Sequence, residues 1–198
     1  MNSTDKTQTN HPASGLYDFV ELLVIAICTV LVLFSFGFRL CRVSGDSMNQ
    51  TLHNGEMLLI SSCAYTPKQG DIVVFHQTHE IDTSLNEPIV KRVIATEGQH
   101  VKVDYATAKV YVSDDEIFDE NDVIEESYDY VEGGVITRPF FANNKHYEVP
   151  KGHIFVLGDN RNNSRDSRDT YIGFVDTRRI LGKVVLRITP FSKFGLVE

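Results

Sequence analysis

An uncharged apolar segment near the N-terminus constrains the fold of this chain most strongly. It runs from Leu22 to Phe38 as LLVIAICTVLVLFSFGF, seventeen residues bracketed by Glu21 and Arg39. As a helix rising about 1.5 Å per residue it would be about 26 Å long, close to the thickness of the hydrocarbon core of a bilayer. The chain must therefore bury this segment in a protein core or place it in a membrane.

Three interpretations compete for this segment: a cleaved signal peptide, a buried core helix and a retained membrane anchor. A signal peptide has a basic N-terminal region and a small-x-small cleavage site after its apolar run. Here a single base, Lys6, precedes the run, which ends in the bulky Phe36 and Phe38. We therefore predict a short tail over residues 1–21 and a retained anchor over residues 22–38. The Lys and Arg counts on the two sides are too similar to orient the anchor.

The remaining residues, 39–198, have the pattern of a β-rich domain. They contain short runs rich in Val and Ile, each bounded by Gly, Pro, Asn or Asp. We therefore predict a mainly β fold: an all-β domain on a single N-terminal transmembrane helix. The predicted strands cover residues 56–60, 71–76, 89–95, 100–104, 109–112, 153–157 and 180–188.

The charged residues are unevenly distributed. The chain has 19 basic and 27 acidic residues, a net charge of −8. Ten of the acids and none of the bases lie between Ser113 and Glu132, residues 113–132. We interpret this stretch as a solvated insertion, because it lacks the ligand spacing of a calcium loop. A chain without a basic surplus is not expected to bind nucleic acid, whose phosphates require a basic face.

Metal sites and disulfide frameworks find little support in the sequence. The cysteines are Cys28, Cys41 and Cys63, and their spacing fits no zinc motif, although a single bridge between Cys41 and Cys63 stays open. His76 and His79 lack an identifiable third ligand. We expect no metal and no other cofactor.

Two segments carry side chains suited to acid-base chemistry. Ser47 lies in the turn-forming VSGDSMNQTL of residues 43–52, and a loop serine by itself usually has no function. Lys91 and Arg92 lie in a predicted strand, where neighbours point to opposite faces, so one of the two is expected among apolar groups. An edge lysine would reach water, whereas burial disfavours the ammonium form of a lysine. Lowering the lysine pKa from about 10.4 to about 8 would require about 3 kcal/mol of differential destabilisation. A neutral lysine amine could then take the proton from a serine hydroxyl.

A third segment follows the predicted strand at 153–157. It reads GDNRNNSRDSR at residues 158–168 and contains no apolar side chain. Its density of hydrogen-bonding groups indicates an organised loop, although a solvated surface turn would have a similar composition.

With these segments in this order, the chain resembles the bacterial type I signal peptidases. These are membrane-anchored serine proteases that remove signal peptides from exported proteins. The resemblance covers most of residues 20–190, and the shared order of several weak motifs makes it specific. The motifs are the anchor, GDSM at 45–48, GDIVVF at 70–75, VKRVI at 90–94, GDNRNNSRDSR at 158–168, GFV at 173–175 and GKV at 182–184.

The resemblance implies a serine-lysine dyad in the catalytic site. Ser47 would be the nucleophile and Lys91 the general base. Ser164 corresponds to the serine that hydrogen-bonds this lysine, and Asp166 and Arg168 correspond to a supporting ion pair.

The resemblance also implies how a substrate is held. The backbone N–H of Ser47 would bind the oxyanion with help from around Gly45, whose missing side chain permits close approach. Val43, Met48 and Val90 would line the small apolar pockets for Ala-x-Ala sites. The implied partners are the signal peptides of exported preproteins and the lipid bilayer. The implied location is the cell membrane, with the catalytic domain outside the cytoplasm.

One position departs from the family pattern. The family usually has SMxPT after the glycine, and here Gln50 replaces the proline, which would stiffen the turn. This departure motivates an alternative function, a non-catalytic assembly factor for surface fibres, as in relatives that have lost the serine or the lysine. A self-cleaving repressor shares the chemistry but needs a DNA-binding domain, where this chain has a polar tail and a membrane segment.

Overall fold

The computed structural model describes residues 14–63, 65–77, 87–127, 131, 134–137 and 146–197. Of the residues considered above, residues 1–13 of the predicted tail, which include Lys6, lie outside the described residues. So do His79 and the acidic Asp129 and Glu132. The chain divides into two units, one ending at Gly37 and the other beginning at Phe38.

The first unit contains one long helix, α1, which spans Ser14–Phe36. It begins ahead of the predicted Leu22, because the charge-free criterion left out the turns that carry Asp18 and Glu21. Acidic side chains that face solvent do not interrupt a helix, so α1 continues through them. The helix ends before Phe38, which starts the first strand.

The side chains of α1 are exposed wherever the structure describes them. Among the described residues it is the one helix long and apolar enough to cross a membrane, and no part of its window Gly15–Val32 is buried. Large apolar side chains such as Leu16 and Phe19 are more than half exposed. The buried-core interpretation is therefore wrong, and the helix has the length and surface of a membrane span.

The second unit is a β structure arranged in two antiparallel sheets. The larger sheet has the order β1-β2-β10-β3-β4-β8-β9, with β11 beside β10, and the smaller has the order β6-β5-β7. The strands are β1 (Phe38–Arg42), β2 (Met57–Ser61), β3 (Ile72–His76), β4 (Pro88–Thr96), β5 (His100–Val103), β6 (Val110–Ser113), β7 (His146–Glu148), β8 (His153–Leu157), β9 (Val175–Asp176), β10 (Ile180–Thr189) and β11 (Gly195–Leu196).

The predicted fold class, a mainly β domain after one apolar helix, is confirmed. Every predicted run forms a strand, in β2 to β6, β8 and β10, with ends shifted by a residue or so. The strands that the sequence did not predict are β1, β7, β9 and β11. They are short and lie outside the Val- and Ile-rich runs, so pairing with a neighbour decides their structure rather than local pattern.

The centre of the large sheet is buried on both faces. In β3, Ile72 and Val74 pack into one apolar cluster, whereas Val73 and Phe75 pack into another. This explains why β3 reads as a continuous apolar run rather than an alternating one. Strand β4 pairs with β3 on one side and with β8 on the other, so its charged residues cannot reach water at an edge.

The described part of the acidic stretch is only partly a solvated insertion. Most of its acids are exposed, and a short 3-10 turn at Glu120–Asp122 is capped by Asp119. Glu126 is different, because its side chain is buried in an ion pair with Arg161. The cysteines are free, so the Cys41–Cys63 bridge left open by the sequence is not formed.

Candidate active site

Ser47 and Lys91, which are distant in sequence, meet in the structure. Lys91 Nζ lies 2.7 Å from Ser47 Oγ and donates a hydrogen bond to the Val90 carbonyl at 2.9 Å. The turn after Val43 presents Ser47, and the central strand β4 presents Lys91. At this distance a proton can pass between the two side chains without a bridging water.

The environment of Lys91 favours its neutral form. Lys91 is only 3% exposed, and burial lowers its pKa from 10.5 to about 8. The charges of Asp166 and Asp159 act in the opposite direction and raise the pKa, while that of Arg168 lowers it further. Because burial dominates, a useful fraction of the amine is unprotonated in mildly alkaline solution.

Arg92 is buried as well as Lys91, whereas the strand pattern predicted that only one of these two cations would lie among apolar groups. Its guanidinium pairs with Asp159 through Nε to Oδ1 at 3.0 Å and Nη2 to Oδ2 at 2.8 Å. Nη1 also donates to the Gly70 carbonyl at 2.9 Å. This pair fixes the loop that follows β8 onto β4. The sequence analysis did not predict this ion pair. The available signal was Asp159 just after one buried strand and Arg92 within another.

The loop at residues 158–168 holds the backbone of the nucleophile. The Asn160 N–H donates to the Ser47 carbonyl at 3.0 Å, and Asn160 Nδ2 donates to the Asp46 carbonyl at 3.1 Å. A Cβ at Gly158 would lie 2.5 Å from the Ser47 carbonyl oxygen. The loop can approach Ser47 this closely only because residue 158 is glycine.

Asp166 and Arg168 lie together as an ion pair under this loop. Arg168 donates to Asp166 through Nε and Nη2, both at 2.8 Å, and the Gly158 N–H donates to Asp166 at 3.1 Å. Burial opposes ionisation of Asp166, but the Arg168 charge and these hydrogen bonds outweigh it and lower the pKa of Asp166. The carboxylate therefore stays charged close to Lys91.

Two of the predicted supporting contacts differ from the expectation. Ser164 is buried, but its Oγ is not bonded to Lys91 Nζ, which is directed at Ser47 and Val90 instead. The Ser164 hydroxyl helps to lower the pKa of Asp166. The Gly45 N–H donates to Asn54 Oδ1 at 3.2 Å, so it is not free to bind an oxyanion.

The Ser47 N–H remains available for an oxyanion. Among the residues that the structure describes, it makes no hydrogen bond. Gly45 serves the turn differently, through a positive φ of 85° that other residues adopt with strain.

A cleft opens beside Ser47 and Lys91. Its volume is about 170 Å³, below the range of about 300–1,000 Å³ typical of sites for drug-sized ligands. The buried Val43, Met48 and Val90, which the resemblance assigns to substrate pockets, line this cleft. Its other lining residues are Ser44, Glu87, Pro88 and Ile89.

The turn that contains Gln50 is held without the usual proline. Thr51 Oγ1 donates to Asp159 Oδ2 at 2.6 Å, and Arg187 Nη2 donates to the Thr51 carbonyl at 2.6 Å. The Leu52 N–H donates to the Met48 carbonyl at 2.8 Å. Gln50 itself is exposed. Replacing proline by Gln50 therefore leaves the turn anchored at the residue that follows.

The family described as "Signal peptidase, peptidase S26" matches residues 16–189 of the chain. The chain belongs to this family. It is 31% identical over 196 residues to the probable signal peptidase I-1 of Synechocystis sp., covering 94% of this chain and 91% of that protein. It is 32% identical over 186 residues to signal peptidase IB of Staphylococcus aureus, covering 90% of this chain and 92% of that protein.

A solved structure of a signal peptidase I from Enterococcus faecalis is 26% identical to the chain. The match covers 60% of this chain and 97% of the chain in that structure, with a TM-score of 0.43.

Family membership confirms the resemblance that the motifs predicted. The chain is a peptidase, a hydrolase that removes signal peptides by serine-protease chemistry. The N-terminal apolar helix and the family together indicate a membrane-anchored protein. Nothing in these matches favours the non-catalytic assembly factor.

Proposed function

We propose that Ser47 and Lys91 are the catalytic dyad of this signal peptidase. The observation that carries the proposal is the 2.7 Å separation of Ser47 Oγ from the amine of a buried lysine. In acylation, neutral Lys91 takes the proton of the Ser47 hydroxyl while Oγ attacks the carbonyl of the scissile peptide bond. The resulting ammonium then protonates the leaving amine, which departs as the new N-terminus of the exported protein.

Deacylation uses the same two side chains. Neutral Lys91 takes a proton from a water molecule, which attacks the ester between Ser47 and the signal peptide. The ester bond breaks, Lys91 returns this proton to Ser47 Oγ, and the signal peptide leaves as a carboxylic acid. Release of the second proton of the water to solvent converts this acid to the carboxylate. The unpartnered Ser47 N–H supports a role as oxyanion donor in both steps.

The supporting residues act by fixing the dyad. Asp166 and Arg168 supply fixed charges beside Lys91, and Gly158 admits the loop that holds the Ser47 carbonyl. Ser164 lies beside Gly158, and its hydroxyl helps to keep Asp166 ionised close to Lys91.

The substrates in this proposal are preproteins with Ala-x-Ala sites. The small volume of the cleft and its lining by Val43, Met48 and Val90 support short apolar side chains at the positions before the cut. A large or charged side chain there would lose contacts or remain unpaired in an apolar pocket.

The location in this proposal is the cell membrane, with a single span near the N-terminus and lipid as a partner. The division of the chain after Gly37 supports an anchor followed by a catalytic domain. Signal peptides are cut after their preproteins have crossed the membrane, so the catalytic domain would lie outside the cytoplasm.

The test is cleavage by the detergent-solubilised full chain, followed by the masses of the products. One preprotein carries an Ala-x-Ala site, and a matched preprotein has both alanines replaced by leucine. Cleavage of the first alone, after the second alanine, is expected. Equal cleavage of both would contradict the assigned substrate class, and binding without cleavage would support the assembly factor. In intact spheroplasts, digestion of the catalytic domain by an added protease is expected, and protection would contradict the orientation.

A further inference from the structure

The acidic stretch contributes one side chain to the interior of the catalytic domain. Glu126 accepts hydrogen bonds from both terminal nitrogens of Arg161, with Arg161 Nη1 at 2.8 Å from Glu126 Oε2 and Nη2 bonded to Oε1. The Arg161 side chain is 0% exposed and that of Glu126 is 5% exposed. A bidentate pair removed from water in this way is strong and geometrically specific.

Arg161 lies at the centre of the loop that holds the nucleophile. Its Nε donates to the Gly158 carbonyl at 3.1 Å, and its own carbonyl accepts from Arg168 Nη2 at 2.8 Å. Arg168 in turn pairs with Asp166. The loop residue just before Arg161 is Asn160, which binds the Ser47 carbonyl.

These contacts form a continuous path from Glu126 to both members of the dyad. One branch passes through Arg161 and the Asn160 backbone to the Ser47 carbonyl. The other passes through Arg161 and Arg168 to Asp166, whose charge raises the pKa of Lys91. Exposed acids of the same stretch, such as Glu125, have no comparable contact among the described residues.

We propose that Glu126 is a positioning residue for catalysis, which acts by holding Arg161 and therefore the loop 158–168 in register with Ser47. The proposal rests on the proposed dyad. Without the Glu126 carboxylate, a fully buried guanidinium would lose this bidentate ion pair. Arg161 would move toward water and draw the Gly158 carbonyl and the Asn160 N–H away from the nucleophile.

The test compares Glu126→Gln with Glu125→Gln in the solubilised full chain. Both variants lose one negative charge at adjacent positions, but only the first loses the buried pair. Since a displacement of about 1 Å in a catalytic group can cost about a hundredfold in rate, we expect kcat to fall at least about tenfold in Glu126→Gln. KM should change by less than about twofold, because the cleft walls are contributed by other residues.

The assay temperature is set well below the unfolding midpoint of each variant, so that loss of fold does not lower kcat. A kcat for Glu126→Gln equal to that of Glu125→Gln would overturn the proposal. So would a loss that appears only in KM.

A second variant covers the case in which Glu126→Gln does not fold. In the double variant Glu126→Gln with Arg161→Gln both charges of this buried pair are removed together, and the fold should return. Its kcat should stay at least about tenfold below that of the parent. Two amides cannot reproduce the hydrogen bonds that the Arg161 guanidinium donates to both Glu126 and the Gly158 carbonyl. A kcat equal to that of the parent would overturn the proposal. If the parent itself does not cleave, the proposed function fails; if the parent cleaves and the variants match it, only the role of Glu126 fails.

Discussion

The pH dependence of cleavage follows from the burial of Lys91. The pKa of its amine is lowered from 10.5 to about 8, and only the neutral amine can accept the Ser47 proton. The neutral fraction is about one part in a hundred near pH 6, about one in eleven near pH 7, one half near pH 8 and about nine in ten near pH 9. We therefore expect kcat/KM to rise nearly a hundredfold, about two powers of ten, from about pH 6 to about pH 9 and then to level off.

The assay is the initial rate of cleavage of a short peptide with an Ala-x-Ala site that has no titratable side chain. Substrate is kept well below KM, so the profile reports groups on the free enzyme. An unperturbed lysine would instead give a rate that still rises about eightfold from about pH 9 to about pH 10. A flat profile over about pH 6 to 10 would refute Lys91 as the base. A midpoint near 10.5 would refute its desolvation.

Three further outcomes are expected. Gly158→Ala should remove most activity, because its Cβ would lie 2.5 Å from the Ser47 carbonyl oxygen, and cleavage per folded molecule measures this. Arg92→Met should lower the unfolding free energy by about 3–5 kcal/mol in urea titrations, because Asp159 loses its buried partner, and adding Asp159→Leu should restore much of it. Lys91→Met should raise the unfolding free energy at neutral pH by up to about 3 kcal/mol, because burial penalises the ammonium in the folded state.

Gly158→Ala has a matched control variant in this chain, and the pH dependence provides a check on Lys91→Met. At Gly182 a Cβ would lie 2.7 Å from the Ser61 carbonyl oxygen, away from the dyad, so Gly182→Ala should cost stability but not activity per folded molecule. For Lys91→Met the size of the stability gain depends on pH, since the pKa of Lys91 is lower in the folded state than in the unfolded state. The gain should be full below about pH 8 and vanish as pH rises toward 10.5, and a gain independent of pH would contradict the desolvation.

The parts of the fold that the sequence predicts are those with a strong local pattern. The charge-free run predicts α1, and the Val- and Ile-rich runs predict the central strands. Strands β1 and β7 have no such pattern, because the one contains two arginines and the other is three residues long. They form because a partner strand offers hydrogen bonds, and this information is not local.

The site divides in the same way. Ser47 and Lys91 are recognisable from motifs. The sequence leaves open whether Lys91 is desolvated, and the central place of β4 in the sheet decides it. The pairing of Arg92 with Asp159 is a tertiary contact between two motifs that are each readable alone. Glu126 carries no local signal at all, since it is one of ten similar acids and only the fold selects it.

The central claim, that Ser47 and Lys91 perform the chemistry, is tested most directly by removing each side chain. Ser47→Ala, Lys91→Ala and the control Ser44→Ala, whose serine lines the same cleft, are incubated with a preprotein bearing an Ala-x-Ala site. Product masses and unfolding midpoints are measured for each. The account predicts folded but inactive Ser47→Ala and Lys91→Ala proteins and parent-like cleavage by Ser44→Ala. Full cleavage by either of the first two variants would contradict it.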